Sequence, residues 1–196
     1  MLKNESKMKF GTCLVLVLLS CACFPVAASG NWPIYRGKET LCGVSEANLG
    51  SKPSLVWTRR LSEGSVSSPV IVDSTVFVST AEGSVLALKL SDGSTLWEYV
   101  SGEPMAAAPM AANGLIYAGS REGVMYALNA SDGTVLWDYR TGDQIMGSAN
   151  VMKRPGKNPY LLFGSYDNNL YCLDAVNGEV QWKHETENFV NGTPAV

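Results

Sequence analysis

Beyond residue 60 the chain is a succession of short apolar runs separated by small groups of turn-forming residues. One stretch shows the scheme. Ala107 to Ala112 leads into Asn113-Gly114, Leu115 to Ser120 into Arg121-Glu122-Gly123, Val124 to Leu128 into Asp132-Gly133, and Thr134 to Tyr139 completes the set. Runs of this length, rich in β-branched and aromatic residues and bounded by Gly and Asn, read as strands. No segment after residue 30 carries a helical period long enough to compete. Asn-Gly and Asp-Gly are hairpin signals because a type I′ turn needs positive φ at both central residues. Four short antiparallel strands joined by tight turns are therefore expected, and the scheme repeats.

Ala87 to Trp97 recurs as Ala127 to Trp137 and again as Cys172 to Trp182, each copy carrying Asp-Gly or Asn-Gly at its sixth and seventh positions. Trp57, Trp97 and Trp137 are spaced by 40 residues and Trp182 follows after 45. Pro69, Pro109 and Pro194 keep the same register, with Ala149 in the third slot. The extra residues fall between Ala149 and Gly164, where Lys153 to Pro159 reads as a lengthened loop. Four strands in a repeat of about 40–45 residues make one blade of a β-propeller. The expected class is all-β: an incomplete propeller with blades at about 66–101, 106–141 and 147–186 and a partial blade from residue 192. Leu55 to Arg59 has the pattern of a fourth strand with no first three before it. A lone blade cannot bury both faces of its sheet. Each tryptophan is therefore assigned to packing against the neighbouring blade, with its indole N–H bonded in a loop. Trp137-Asp138 is not a WD signature, since the equivalent pairs are Trp57-Thr58, Trp97-Glu98 and Trp182-Lys183.

These residues resemble the pyrroloquinoline-quinone-like (PQQ-like) repeat propellers, a family that includes quinoprotein dehydrogenases and BamB-type outer-membrane assembly factors. Residues 127–137 match the family's Ala-x-Asp/Asn-x-x-Thr/Asp-Gly-x-x-x-Trp motif throughout. Residues 172–182 depart at Cys172 and Asn177, and residues 87–97 at Lys89. Asn31 to Gly37 is similar to the Trp-Pro-x-x-Arg-Gly opening of exported bacterial members. The resemblance covers residue 31 to the end and speaks to fold. Function lives in sites grafted on the fold.

The first residues read as an address. Lys3, Lys7 and Lys9 precede an uncharged stretch from Phe10 to Phe24, and Pro25 and the small residues Ala27 to Gly30 follow. That is the order of a secretory signal peptide. The expected division is a signal peptide at 1–29, an N-terminal extension at 30–53 and propeller repeats at 54–196. Leu18 to Cys21 resembles a lipoprotein signal, which makes Cys21 a candidate lipid anchor; the reading adopted is that Cys13, Cys21 and Cys23 are small apolar residues of the leader. Cys42 and Cys172 remain after cleavage, and spacing alone does not say whether they pair.

Composition narrows the function classes. With 46% hydrophobic residues and a net charge of −3, the chain is neither disordered nor equipped with the clustered basic surface that nucleic acid requires. No catalytic, cofactor-binding or metal-ligating residue is assigned. His184, the only histidine, sits two residues after Trp182 with no triad partner. Asp167-Asn168-Asn169 reads as an ordinary turn, matching Arg121-Glu122-Gly123. Asn129 and Asn191 fit a glycosylation pattern that a bacterial-looking protein gives little use. Gly119-Ser120 and Gly164-Ser165 precede turns, not helices, and so are not nucleophile elbows. The expectation is an exported, periplasmic or outer-membrane-associated propeller that binds a protein partner in the cell envelope without a cofactor. It is read as the N-terminal portion of a longer ring. The alternative is a dehydrogenase using PQQ and calcium, its site largely in a C-terminal part.

Overall fold

A computed structural model describes residues 30–45, 51–61 and 67–196. The expected leader at 1–29, with Cys21, lies outside the described residues. Among the described residues all regular structure is β, in twelve strands. The first blade comprises β1 (Val70–Val72), β2 (Thr75–Ser79), β3 (Ser84–Lys89) and β4 (Thr95–Val100). The second comprises β5 (Met110–Ala112), β6 (Leu115–Gly119), β7 (Val124–Asn129) and β8 (Val135–Arg140). The third comprises β9 (Asn150–Met152), β10 (Tyr160–Gly164), β11 (Asn169–Asp174) and β12 (Val180–Glu185). Each set forms its own four-stranded antiparallel sheet in sequence order, and none closes on itself.

Two turn chemistries build the blades. Asn113 and Gly114 both have positive φ, +53° and +76°, as the type I′ reading requires. The Asp-Gly pairs behave differently. Gly93, Gly133 and Gly178 have positive φ, but Asp92, Asp132 and Asn177 do not. These pairs sit in longer loops, closed by Gly93 N–H to Lys89 C=O and by Lys89 N–H to Ser94 C=O, 2.8 Å each. The side chain explains the difference: Asp92 Oδ1 accepts the Ser94 N–H at 2.9 Å, and Asp132 Oδ1 accepts the Thr134 N–H at 2.9 Å. An aspartate that folds back on the backbone two residues on makes an Asx-turn and has no need of the left-handed region.

Packing follows the alternation of the strands. Met110, Tyr117, Met125 and Ala127 leave one face of the second blade and meet Val151, Leu161, Phe163, Tyr171 and Leu173 of the third. Its other face carries Ala111, Ile116, Ala118, Val124, Tyr126 and Leu128 to Val70, Phe77, Val85 and Ala87 of the first. The second blade is thus buried from both sides, and the core lies between sheets. Leu55 to Arg59 enters no ladder, which corrects the expected fourth strand. Among the described residues no strand pairs with it, yet Trp57 and Leu61 still pack on Val76, Val78, Leu86 and Leu88 of the first blade.

Candidate functional site

The repeated motif builds a joint. Trp97 Nε1–H donates to Ala130 C=O at 3.0 Å, Trp137 Nε1–H to Ala175 C=O at 3.3 Å, and Trp57 Nε1–H to Leu90 C=O at 2.7 Å. In each case the acceptor stands three residues before the turn glycine of the next blade, and the indole lies on that glycine. A Cβ on Gly93, Gly133 or Gly178 would stand 2.7, 2.6 or 2.8 Å from the ring of Trp57, Trp97 or Trp137. Asp-Gly therefore meets two demands: positive φ, and a bare surface for an indole. The outward aim of the ring has a local cause that sequence reading missed. The ladder between third and fourth strands slips by one residue at Ala87/Leu88, Ala127/Leu128 and Cys172/Leu173, leaving Leu96, Leu136 and Gln181 unpaired just before each tryptophan. Such a bulge increases the local twist and re-aims the side chain beside it. Trp182 completes no joint. It is 41% exposed, and every residue of β12 is open to solvent.

Polar groups reinforce the seams. Tyr117 Oη–H donates to the same Ala175 carbonyl at 2.9 Å, and burial raises the Tyr117 hydroxyl far above its ordinary pKa. At the first seam Glu103 accepts from Ser120 Oγ at 2.9 Å and Tyr126 Oη at 3.0 Å, and pairs with Arg140 at 3.1 Å. At the second, Asp167 accepts from Tyr171 Oη at 2.6 Å and from the Gly142 N–H at 2.8 Å. The turn at Asp167 is thus an interblade tie as well as a turn, with Asn168 at φ +66°. Burial alone would raise the Asp167 carboxyl, but donation from Tyr171, Gly142 and Asn169 outweighs it and holds the pKa below the usual aspartate value. The folded pKa is then lower than the unfolded one. The resulting stability is present above about pH 4 and is lost as pH falls through the folded value. Asp167→Asn is accordingly expected to flatten the loss of stability between about pH 5 and pH 2, read by urea denaturation at each pH.

The other candidates fall apart in space. Cys42 and Cys172 are both free, the first exposed and the second buried. Burial pushes the Cys172 thiol up to about 11, whereas a hydrogen bond from Thr40 leads the causes that hold Cys42 below its ordinary value. His184 is exposed on β12 opposite Leu170. Asn129 Oδ1 accepts the Ser131 N–H at 2.9 Å, so the first glycosylation-like site serves its own turn. Among the described residues no three His, Cys, Asp or Glu side chains converge as a metal site would require.

A cleft large enough for a ligand lies where residues 31–39 cross the first strands of the blades. It holds about 630 Å³ over an apolar floor of Ile34, Phe77, Met110 and Ile116. Its rim includes Asn31, Asp73, Asn129 and the ion pair of Lys153 with Glu39, 3.1 Å apart. No motif of the sequence pointed to it, because its walls come from segments far apart in the chain.

Comparison with known proteins fits this geometry. In fold the chain is similar to BamB from Moraxella catarrhalis, with a TM-score of 0.58 and 19% identity over 67% of this chain and 40% of that one. It is similar to a quinohemoprotein alcohol dehydrogenase from Comamonas testosteroni, with a TM-score of 0.66 and 19% identity over 81% of this chain and 28% of that one. A europium-containing methanol dehydrogenase overlaps with a TM-score of 0.69 and 21% identity, over 80% of this chain and 32% of its own. The chain thus spans well under half the length of each. No curated protein matches it in sequence. The sequence model of the family described as outer membrane protein assembly factor BamB matches residues 47–154, just over half of the chain and the stretch that holds the first two complete joints. The chain belongs to that family of PQQ-like repeat propellers.

Proposed function

We propose that the chain is the leading part of an exported propeller that serves as a non-catalytic protein-binding or scaffold module in the cell envelope, in the periplasm or at the outer membrane. The match to the BamB family over residues 47–154 carries this reading. The lysine-led apolar leader supports export, and Cys21 is the residue through which a lipid anchor would attach. The open β12 face supports a longer ring. Trp182 needs a bare glycine with a carbonyl three residues before it, and Trp57 already covers Gly93. A second copy of this chain therefore offers no vacant first-blade seat, and a further blade of different sequence is the fitting neighbour.

A second reading, a quinoprotein dehydrogenase, draws on the fold overlap with the two alcohol-oxidising enzymes. The described residues bring together no donor set that fits a calcium-held quinone, so on that reading the ligands lie elsewhere. Two measurements separate the readings. Cross-linking in intact cells is expected to join the protein to an envelope protein, and adding PQQ and Ca²⁺ to the purified protein is expected to give neither a spectral change nor dye-linked alcohol oxidation. Dye-linked oxidation would overturn the scaffold reading.

A further inference from the structure

The first strand of each blade is three residues long and pairs with the second strand along one edge only. Its other edge faces the ring axis, where neighbouring first strands converge. In a propeller this inner edge offers unpaired backbone groups, and a buried N–H left without a partner is destabilising. The middle residues Ile71, Ala111 and Val151 are equivalent, and the repeat places Val196 at the same position of the next strand.

Each of these four amides has a partner, and three of the partners come from one segment. Ile71 N–H donates to Trp32 C=O at 2.9 Å and Ile71 C=O accepts Trp32 N–H at 2.6 Å, forming an antiparallel bridge. Ala111 N–H donates to Pro33 C=O at 2.7 Å, and Val196 N–H to Glu39 C=O at 3.2 Å. Between Pro33 and Glu39 the segment turns, with Gly37 N–H bonded to Ile34 C=O at 2.8 Å, and Ile34 shares a core cluster with Val151. There Asn150 fills in: its Oδ1 accepts Val151 N–H at 2.8 Å, and its Nδ2 donates to Glu39 C=O and Pro194 C=O at 2.7 Å each. Ile34 anchors the crossing. It is fully buried in the cluster of Met110, Ala149 and Val151.

We propose that the inner edges of the blades form a binding groove for an extended peptide, and that residues 31–43 are its resident occupant, a strap that covers the axis-facing amides of successive blades. The Trp-Pro-Ile sequence fits the task. Proline supplies a carbonyl and needs no partner for a missing N–H, the isoleucine is the apolar anchor, and the Trp32 ring packs on Gly37, whose φ is +87°. While the strap is seated, another extended chain reaches those edges only by displacing it. This holds for a scaffold and for an oxidoreductase alike.

Native-state hydrogen exchange on the full-length protein tests the assignment. The amides of Trp32, Ile71, Ala111 and Val196 are expected to share one opening reaction, with the same protection and the same response to low denaturant. Val151, held by the Asn150 side chain, is expected to stay closed through that opening. Ile34→Ser is expected to speed exchange of the shared set by about tenfold or more and to leave the amides of β6 and β7 unchanged. A synthetic peptide of residues 30–43 is expected to restore the protection. Fast exchange of Trp32 beside full protection of Ile71 and Ala111 in the unaltered protein would overturn the proposal, whether or not the variant folds. So would protection of Ile71 and Ala111 that survives Ile34→Ser intact.

Discussion

Trp97→Ala is expected to destabilise the protein by about 3 kcal/mol, and Trp182→Ala by less than about 1 kcal/mol. The two residues occupy the same position of the same motif, so propensity and local sequence predict equal effects. Their surroundings differ. Trp97 lies on Gly133, donates to Ala130 C=O at 3.0 Å and meets the Phe77 ring at 5.8 Å between centroids. Its removal would open a void between two sheets and strand a carbonyl. A fully buried tryptophan replaced by alanine costs about 3–5 kcal/mol, and the partial exposure of Trp97 places it at the lower end. Trp182 has only its own blade beneath it. Urea denaturation of the two variants beside the parent checks the contrast, since a stack of repeats adds its interface terms one by one. Equal losses would mean that the indole stabilises its own hairpin and not the joint.

Gly133→Val should match that loss and come with a red shift of tryptophan emission. At φ +75° a β-branched residue is strained by about 1–2 kcal/mol. Its Cβ would also stand 2.6 Å from Cε3 of Trp97, so the ring has to leave its seat. Together the two effects amount to about 3–5 kcal/mol. Gly114 separates them. Its φ is +76°, almost the same, but nothing stands within 4 Å of a Cβ built there. Gly114→Val should then cost about 1–2 kcal/mol and leave the emission spectrum alone. The difference between the two valine variants measures the indole contact directly. If they lose equal stability, the contact contributes nothing.

The blades were legible in the sequence because they are local. Period-two alternation and turn residues report on neighbours along the chain, and a motif repeated in register reports on the joint between adjacent copies. What escaped depends on geometry or on distance. Asp92-Gly93 reads as a type I′ pair, but the loop is set by where the Asp92 carboxylate bonds, and a dipeptide rule does not contain that. Leu55 to Arg59 has the composition of an outer strand, and composition is silent about whether a third strand exists for it to join. The crossing of residues 31–39 was invisible for a further reason. It bonds to backbone amides, which every residue but proline carries, so no side-chain pattern marks Ile71, Ala111 or Val196 as its partners.

Each repeat holds one half of two different joints: a glycine seat near its third strand and an indole one turn later on its fourth. As far as the indole joint is concerned, a duplicated repeat would therefore bring a seat and a ring that already match the copies on either side. The indole joint by itself thus sets no limit on how many such units stand in a row.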